Sequence, residues 1–218
     1  MECLPWGVGP GGLNDQKSQS TPTPGVSMPG VQCEWLGPPA GDAFPNHVNV
    51  LATPMVATFG AQGTPSIVFT SYNSTGTVPD RSGGECTGTD LMHYGVIRVI
   101  DGRTCQQQAT ISAPTVIASA TVAIADLGGA DATPEIVAAR SQGGLVAFTF
   151  KPTGWEMLWQ TTSQFPGGLC DWAGPSIHDL DDDGLPEVMF YGAVYNGQTG
   201  ATLDESIAST VDSIGVGY

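Results

Sequence analysis

Five acidic side chains fall within nine residues in the stretch Asp179-Leu180-Asp181-Asp182-Asp183-Gly184-Leu185-Pro186-Glu187. Asp179, Asp181 and Asp183 alternate, and Gly184 follows as the sixth residue. Hard cations such as Ca²⁺ take several oxygen ligands at once, and carboxylates at positions 1, 3 and 5 of a loop can wrap one. Glycine at position 6 allows the sharp turn, position 7 (Leu185) offers its backbone carbonyl, and position 9 is Glu187. Left alone, the cluster repels itself. Two carboxylates ~5 Å apart at an effective dielectric of ~20 cost about 3 kcal/mol, and a bound divalent ion removes that cost. The bland alternative is an acidic surface turn with no ion.

The elements around this stretch exclude an EF-hand, which needs a bidentate Glu at position 12 and a helix on each side. Position 12 here is Phe190. The residues Val188-Met189-Phe190-Tyr191-Gly192-Ala193-Val194-Tyr195 are β-branched, aromatic or small and end at Asn196-Gly197. That pattern predicts strand, hairpin, strand.

Composition agrees with a chain built from short strands. Glycine (30) and proline (17) together exceed a fifth of the 218 residues, which favours frequent turns over long helices. A hydrophobic share of 40% is that of a globular chain. The net charge of −15 argues against nucleic acid, whose phosphates need cationic partners, and against anionic membrane surfaces. Divalent cations, cationic partners and neutral glycans remain open. No apolar run is long enough to span a bilayer, and no signal peptide is visible at Met1.

Self-similarity organises the rest. Three segments align: Thr53–Gly60 followed by Thr64–Phe69, Thr121–Gly128 followed by Thr133–Ala138, and Gly174–Asp181 followed by Leu185–Phe190. Each is a short strand, a polar loop, a proline step and an apolar strand. Each continues to a hairpin turn, at Asp101-Gly102, at Pro152-Thr153-Gly154 and at Asn196-Gly197. About four strands per unit make one propeller blade. We therefore expect an all-β fold of four-stranded antiparallel propeller blades, forming an incomplete propeller. Its units are about 53–118, 119–172 and 173–218, within a region 31–218. An insertion at about 71–95 reads as a long loop, residues 1–30 as an irregular N-terminal segment, and Glu34-Trp35-Leu36 as the closing strand of an earlier unit. Ser213–Tyr218 reads as a strand leading to a further loop, so the chain reads as a piece of a longer repeat protein whose remaining blades are its partners.

The acidic loop and its surroundings resemble the FG-GAP, or VCBS-type, repeats of integrin-α-like β-propellers. Asp179, Asp181, Asp183, Gly184 and Glu187 match that motif position by position. The resemblance implies a Ca²⁺ ion joining the first two strands of a blade, held by those four acids and the Leu185 carbonyl. It also implies a secreted or cell-surface module that recognises a protein or glycan. A weaker second site is implied at Asp126, Asp131 and Glu135, where Gly128 and Ala130 replace two ligands. The first unit, with Thr58, Gly60 and Gln62 in place of acids, implies none.

The five cysteines lack any C-x-x-C pair, so zinc is a weak reading. An oxidising compartment fits better, with Cys86 and Cys105 as the expected disulfide and the odd count leaving either one free thiol or a partner cysteine outside the chain. His47, His93 and His178 are read as core or turn residues. Trp155 and Trp159, four apart in a predicted strand, should share one face and pack between blades. No nucleophile or phosphate-loop motif is present, and the expectation is a non-enzyme. A polysaccharide lyase, since some propeller lyases carry similar loops, and a purely structural spacer are the alternatives.

Overall fold

Residues 30–59, 63–73, 94–129, 132–161 and 174–204 are described by the computed structural model. The chain divides into two units, Met1–Val31 and Gln32–Tyr218, and every element below belongs to the second. Its strands are β1 (Asn49–Val50), β2 (Met55–Ala57), β3 (Ser66–Tyr72), β4 (Tyr94–Asp101), β5 (Gln107–Ile117), β6 (Ala123–Ala125), β7 (Glu135–Ala139), β8 (Leu145–Lys151), β9 (Gly154–Gln160), β10 (Ser176–His178), β11 (Glu187–Phe190), β12 (Ala193–Asn196) and β13 (Thr202–Asp204). No helix occurs among the described residues.

The strands form three antiparallel sheets. The first runs β1-β3-β4-β5, with β2 also paired to β3; the second is β6-β7-β8-β9 and the third β10-β11-β12-β13. The short strands β2 and β10 both lie against β6. The fold is all-β and blade-like, with no closed ring among the described residues, as in an incomplete propeller. β3 extends to Tyr72 and β4 begins at Tyr94, so both ends of the expected 71–95 loop belong to strands.

The two cores follow from alternation along β7 and β8. Successive side chains on a strand point to opposite faces. Ile136, Ala138, Val146 and Phe148 pack with Val68, Ile97, Val99 and Ile111 of the first sheet. Val137, Ala139, Leu145 and Ala147 pack with Val188, Phe190, Ala193 and Tyr195 of the third. The second sheet is therefore buried on both faces, and its central strands read as continuous apolar runs. One fully buried Val, Leu, Ile or Phe side chain contributes about 1.5–3 kcal/mol.

Two tryptophans depart from the expected pattern. Opposite Ala147 and Phe148 the β8–β9 register shifts: Ala147 pairs with Trp159 but Phe148 pairs with Met157. The extra residue, Leu158, moves what precedes it to the other face. Trp155 packs on the core shared with the first sheet, its ring centroid 4.8 Å from that of Phe59. Trp159 packs on the core shared with the third, where its indole Nε1 donates to the Gly197 carbonyl at 2.7 Å. Both pack between sheets, as expected, but on opposite faces.

The outer face of the first sheet is covered by residues 32–48. Glu34-Trp35-Leu36 is not a strand; Trp35 instead sets its ring edge-on to Phe69 at 5.0 Å. Arg98, with no exposed surface, forms an ion pair with Asp42 at 2.8 Å. The Arg98 guanidinium also donates to Ser71 Oγ, Thr110 Oγ1 and the Phe44 carbonyl. A buried charge needs such a complete set of partners. The disulfide corrects the expected pairing: Cys105 bonds Cys33, not Cys86, which lies outside the described residues. Cys105 sits in the β4–β5 turn, and the covering segment passes that turn, with Gln32 Nε2 donating to the Arg103 carbonyl at 3.0 Å. A covering segment brought Cys33 there, and cysteine spacing carries no sign of it.

Candidate metal centre

The acidic loop, residues 179–186, joins β10 to β11. His178 pairs with Glu187 at the end of the ladder, so the register itself brings Asp179 and Glu187 to the loop's two ends. The backbone turns through two left-handed residues, Asp182 (φ 60°) and Gly184 (φ 85°). Asp tolerates that conformation better than most side chains, and Gly adopts it freely. A Cβ on Gly184 would meet nothing within 4 Å, so the backbone angle, not space, calls for glycine there.

The loop folds its N–H groups onto its own carboxylates. Asp179 accepts from Asp183 N–H at 3.1 Å and from Gly184 N–H at 2.9 Å. Asp181 accepts from Asp183 N–H at 3.3 Å, and Glu187 from Leu180 N–H at 2.8 Å. Asp183 accepts from Leu185 N–H at 2.7 Å. These contacts orient the acids and offset part of their mutual repulsion.

One oxygen from each of Asp179, Asp181 and Glu187 lies within 4.8 Å of the others. Ligands on a sphere of ~2.3–2.6 Å radius are separated by at most about 5 Å, so three oxygens this close fit around one hard cation. The site could hold a metal ion, with two exposed acids and one, Glu187, buried in the wall. Of the expected ligands, Asp183 is outside this group and holds the Leu185 N–H instead. Leu185 turns its side chain toward the second sheet, where a Cβ on Gly128 would come within 2.6 Å of Leu185 Cδ2.

The corresponding loop of the second sheet joins β6 to β7. Asp126 accepts from Gly128 N–H at 2.9 Å. Glu135, buried, accepts from Leu127 N–H at 3.0 Å and from the Thr149 hydroxyl at 3.1 Å. Asp131 lies outside the described residues. Glu135 and Glu187 therefore make the same contact, each taking the N–H of the residue after the loop's first Asp. Sequence reasoning named both acids but missed this role as a strap across the strand ends. It also missed Gln198, whose Nε2 donates to the Gly128 carbonyl and ties the β12–β13 turn to the neighbouring loop.

No protein-family model matches the chain, and no curated protein does. Among solved structures it is similar to the exotype rhamnogalacturonan lyase YesX, with a TM-score of 0.46 and 20% identity, covering 69% of this chain and 29% of that one. It is similar also to the V. cholerae biofilm matrix protein Bap1, with a TM-score of 0.38 and 20% identity, covering 80% of this chain and 33% of that one. The chain thus spans a third or less of the length of either protein.

Proposed function

We propose that this chain is a calcium-stabilised module of a longer extracellular β-propeller protein, working by recognition of a protein or glycan and not by catalysis. The observation that carries the reading is the convergence of Asp179, Asp181 and Glu187 across the first two strands of the third sheet. The donor set is all oxygen, which suits calcium and disfavours zinc or copper. Three oxygens within 4.8 Å of one another can share one cation at a Ca–O distance of ~2.4 Å. Asp183 stands outside the group, with one oxygen on the Leu185 N–H, so the remaining coordination positions would fall to water or to loop carbonyls. The ion's role is mechanical: it joins β10 to β11 where the acids would otherwise repel.

The Cys33–Cys105 disulfide supports an oxidising compartment. Two of the basic residues are committed within the fold, which supports recognition over turnover. A lyase acting on an acidic polymer needs cationic groups gathered at a cleft. Arg98 is buried against Asp42, and Arg140 donates to the Thr161 carbonyl at 2.7 Å.

Calorimetric titration of chelator-stripped protein with calcium tests the reading. The expected isotherm has one site with a Kd of ~10⁻⁴–10⁻³ M, absent in Asp181→Ala and not reproduced by magnesium. No calcium-dependent heat in the parent protein would overturn it. Release of unsaturated products from pectin-like polymers would transfer the assignment to the lyase alternative.

A further inference from the structure

Between the second and third sheets, next to the acidic loop, lies a cavity of about 170 Å³. Leu127, Glu135 and Thr149 form its buried floor, and Lys151, Leu158 and Gln198 its rim, with the backbone of 128–129 between. We propose that this cavity binds one neutral, hydroxyl-bearing six-membered ring: a single monosaccharide unit of a glycan. The inference deepens the recognition reading above and rests on it.

Size, charge and polarity each point the same way. A closed cavity of ~150 Å³ holds benzene, and a hexose has about twice as many heavy atoms, so this open cavity seats one face of a single ring and not a longer segment. The lining carries one cation and one anion, Lys151 and Glu135, so its formal charges cancel. An anionic ligand would also have to approach a chain of net charge −15. A neutral ligand meets no such barrier.

The polar groups of the floor are satisfied within the protein, and those of the rim keep free hydrogen-bonding capacity. Glu135 is held by Leu127 N–H and the Thr149 hydroxyl, which fixes the floor. Among the described residues Lys151 makes no ion pair, leaving three ammonium donors. Gln198 spends one N–H on the Gly128 carbonyl and keeps its own carbonyl oxygen as an acceptor. Sugar hydroxyls both donate and accept, which such a mixed rim requires. Leu158, exposed on the rim, supplies apolar surface for the C–H face of a ring. The site is also rigid where it matters: Trp159, next to Leu158, is anchored to the Gly197 carbonyl beside Gln198.

Saturation-transfer NMR on the calcium-supplemented full chain tests the proposal, with glucose, galactose, mannose and N-acetylglucosamine as neutral probes and glucuronate as the anionic one. At least one neutral sugar should bind with a Kd of roughly millimolar order. Lys151→Met should weaken it about tenfold or more with the thermal midpoint unchanged, and Gln198→Ala should weaken it as much while lowering the midpoint through its lost bond to the Gly128 carbonyl. Binding by none of the neutral probes, binding of glucuronate alone, or undiminished binding in both variants would overturn it. Calcium titration of the same samples tests the metal reading separately, so the two claims fail independently.

Discussion

Removing one carboxylate from the acidic loop should erase a calcium-dependent gain in stability, while removing its neighbour's charge should not. Asp181 contributes an oxygen to the three-acid group; Asp182, beside it at φ 60°, does not. Asp181→Ala deletes a ligand, whereas Asp182→Asn removes a charge and keeps a side chain that accepts the left-handed backbone. The gain follows from linkage. Extracellular calcium modules bind at ~10⁻⁴–10⁻³ M, so about 5 mM calcium stabilises the folded form by roughly 1–2.3 kcal/mol. For a folded unit of this size class each kcal/mol moves the midpoint by about 2–4 °C, giving an upward shift of about 2–9 °C. Scanning calorimetry in chelator and in calcium reads it directly. The parent protein and Asp182→Asn should show the full shift, and Asp181→Ala none. Equal midpoints with and without calcium, or equal loss in both variants, would refute the geometric argument, because bulk charge and not a ligand set would then be at work.

Three further outcomes follow from the packing. Burial pushes the Asp42 carboxyl up from an ordinary 3.8, but hydrogen bonds from Thr110, the Phe44 N–H, Arg98 and Gln107 bring it down to about 2. A depressed folded value means stability that is present above pH ~4 and is lost as the pH falls from about 4 to 2. Urea melts should show that loss in the parent, while Asp42→Asn, which leaves Arg98 buried without its counter-ion, should be weaker by about 3–5 kcal/mol at neutral pH and lack that contribution in acid. Trp159→Phe leaves the Gly197 carbonyl unpaired in a buried place and should cost about 1–3 kcal/mol in the same melts, without loss of β-sheet circular dichroism. Cys33→Ser opens a loop of 72 residues and should lower stability by about 4 kcal/mol on the chain-entropy account, and reductant should lower the parent by at least as much.

What could be read from the sequence was local. The β4–β5 and β12–β13 turns are where Asp101-Gly102 and Asn196-Gly197 place them, because a short side chain can satisfy its own turn. Asp101 Oδ1 accepts from the N–H groups of Arg103 and Thr104, and Asn196 Oδ1 from the N–H and hydroxyl of Thr199. The acidic loop was legible for the same reason. What escaped was set by distant partners. Cys33 reaches Cys105 only because residues 32–48 cover the first sheet. Arg98 carries no mark in a strand of apolar neighbours, yet it holds that covering segment in place. A period of two cannot register the bulge at Leu158, and one inserted residue is enough to send Trp155 and Trp159 to different cores.

The same limit separates the two loops that look alike. Glu135 and Glu187 both open an apolar strand after a proline step, and both take an N–H from across the loop. Their surroundings differ. Thr149, on the adjacent strand β8, gives Glu135 a hydroxyl on its other oxygen. Glu187 stands across the ladder from Asn196, which has no hydroxyl to give it. A carboxylate with both oxygens held by protein donors is already satisfied, whereas one gathered with Asp179 and Asp181 gains from a cation. The decision between a strap and a ligand therefore lies with the residue across the ladder. Thr149→Val should test it: with that hydroxyl gone, the buried Glu135 loses a partner for one oxygen. The folded protein should weaken by about 1–3 kcal/mol in urea melts. An unchanged midpoint would show that the Thr149 hydroxyl is not what satisfies Glu135.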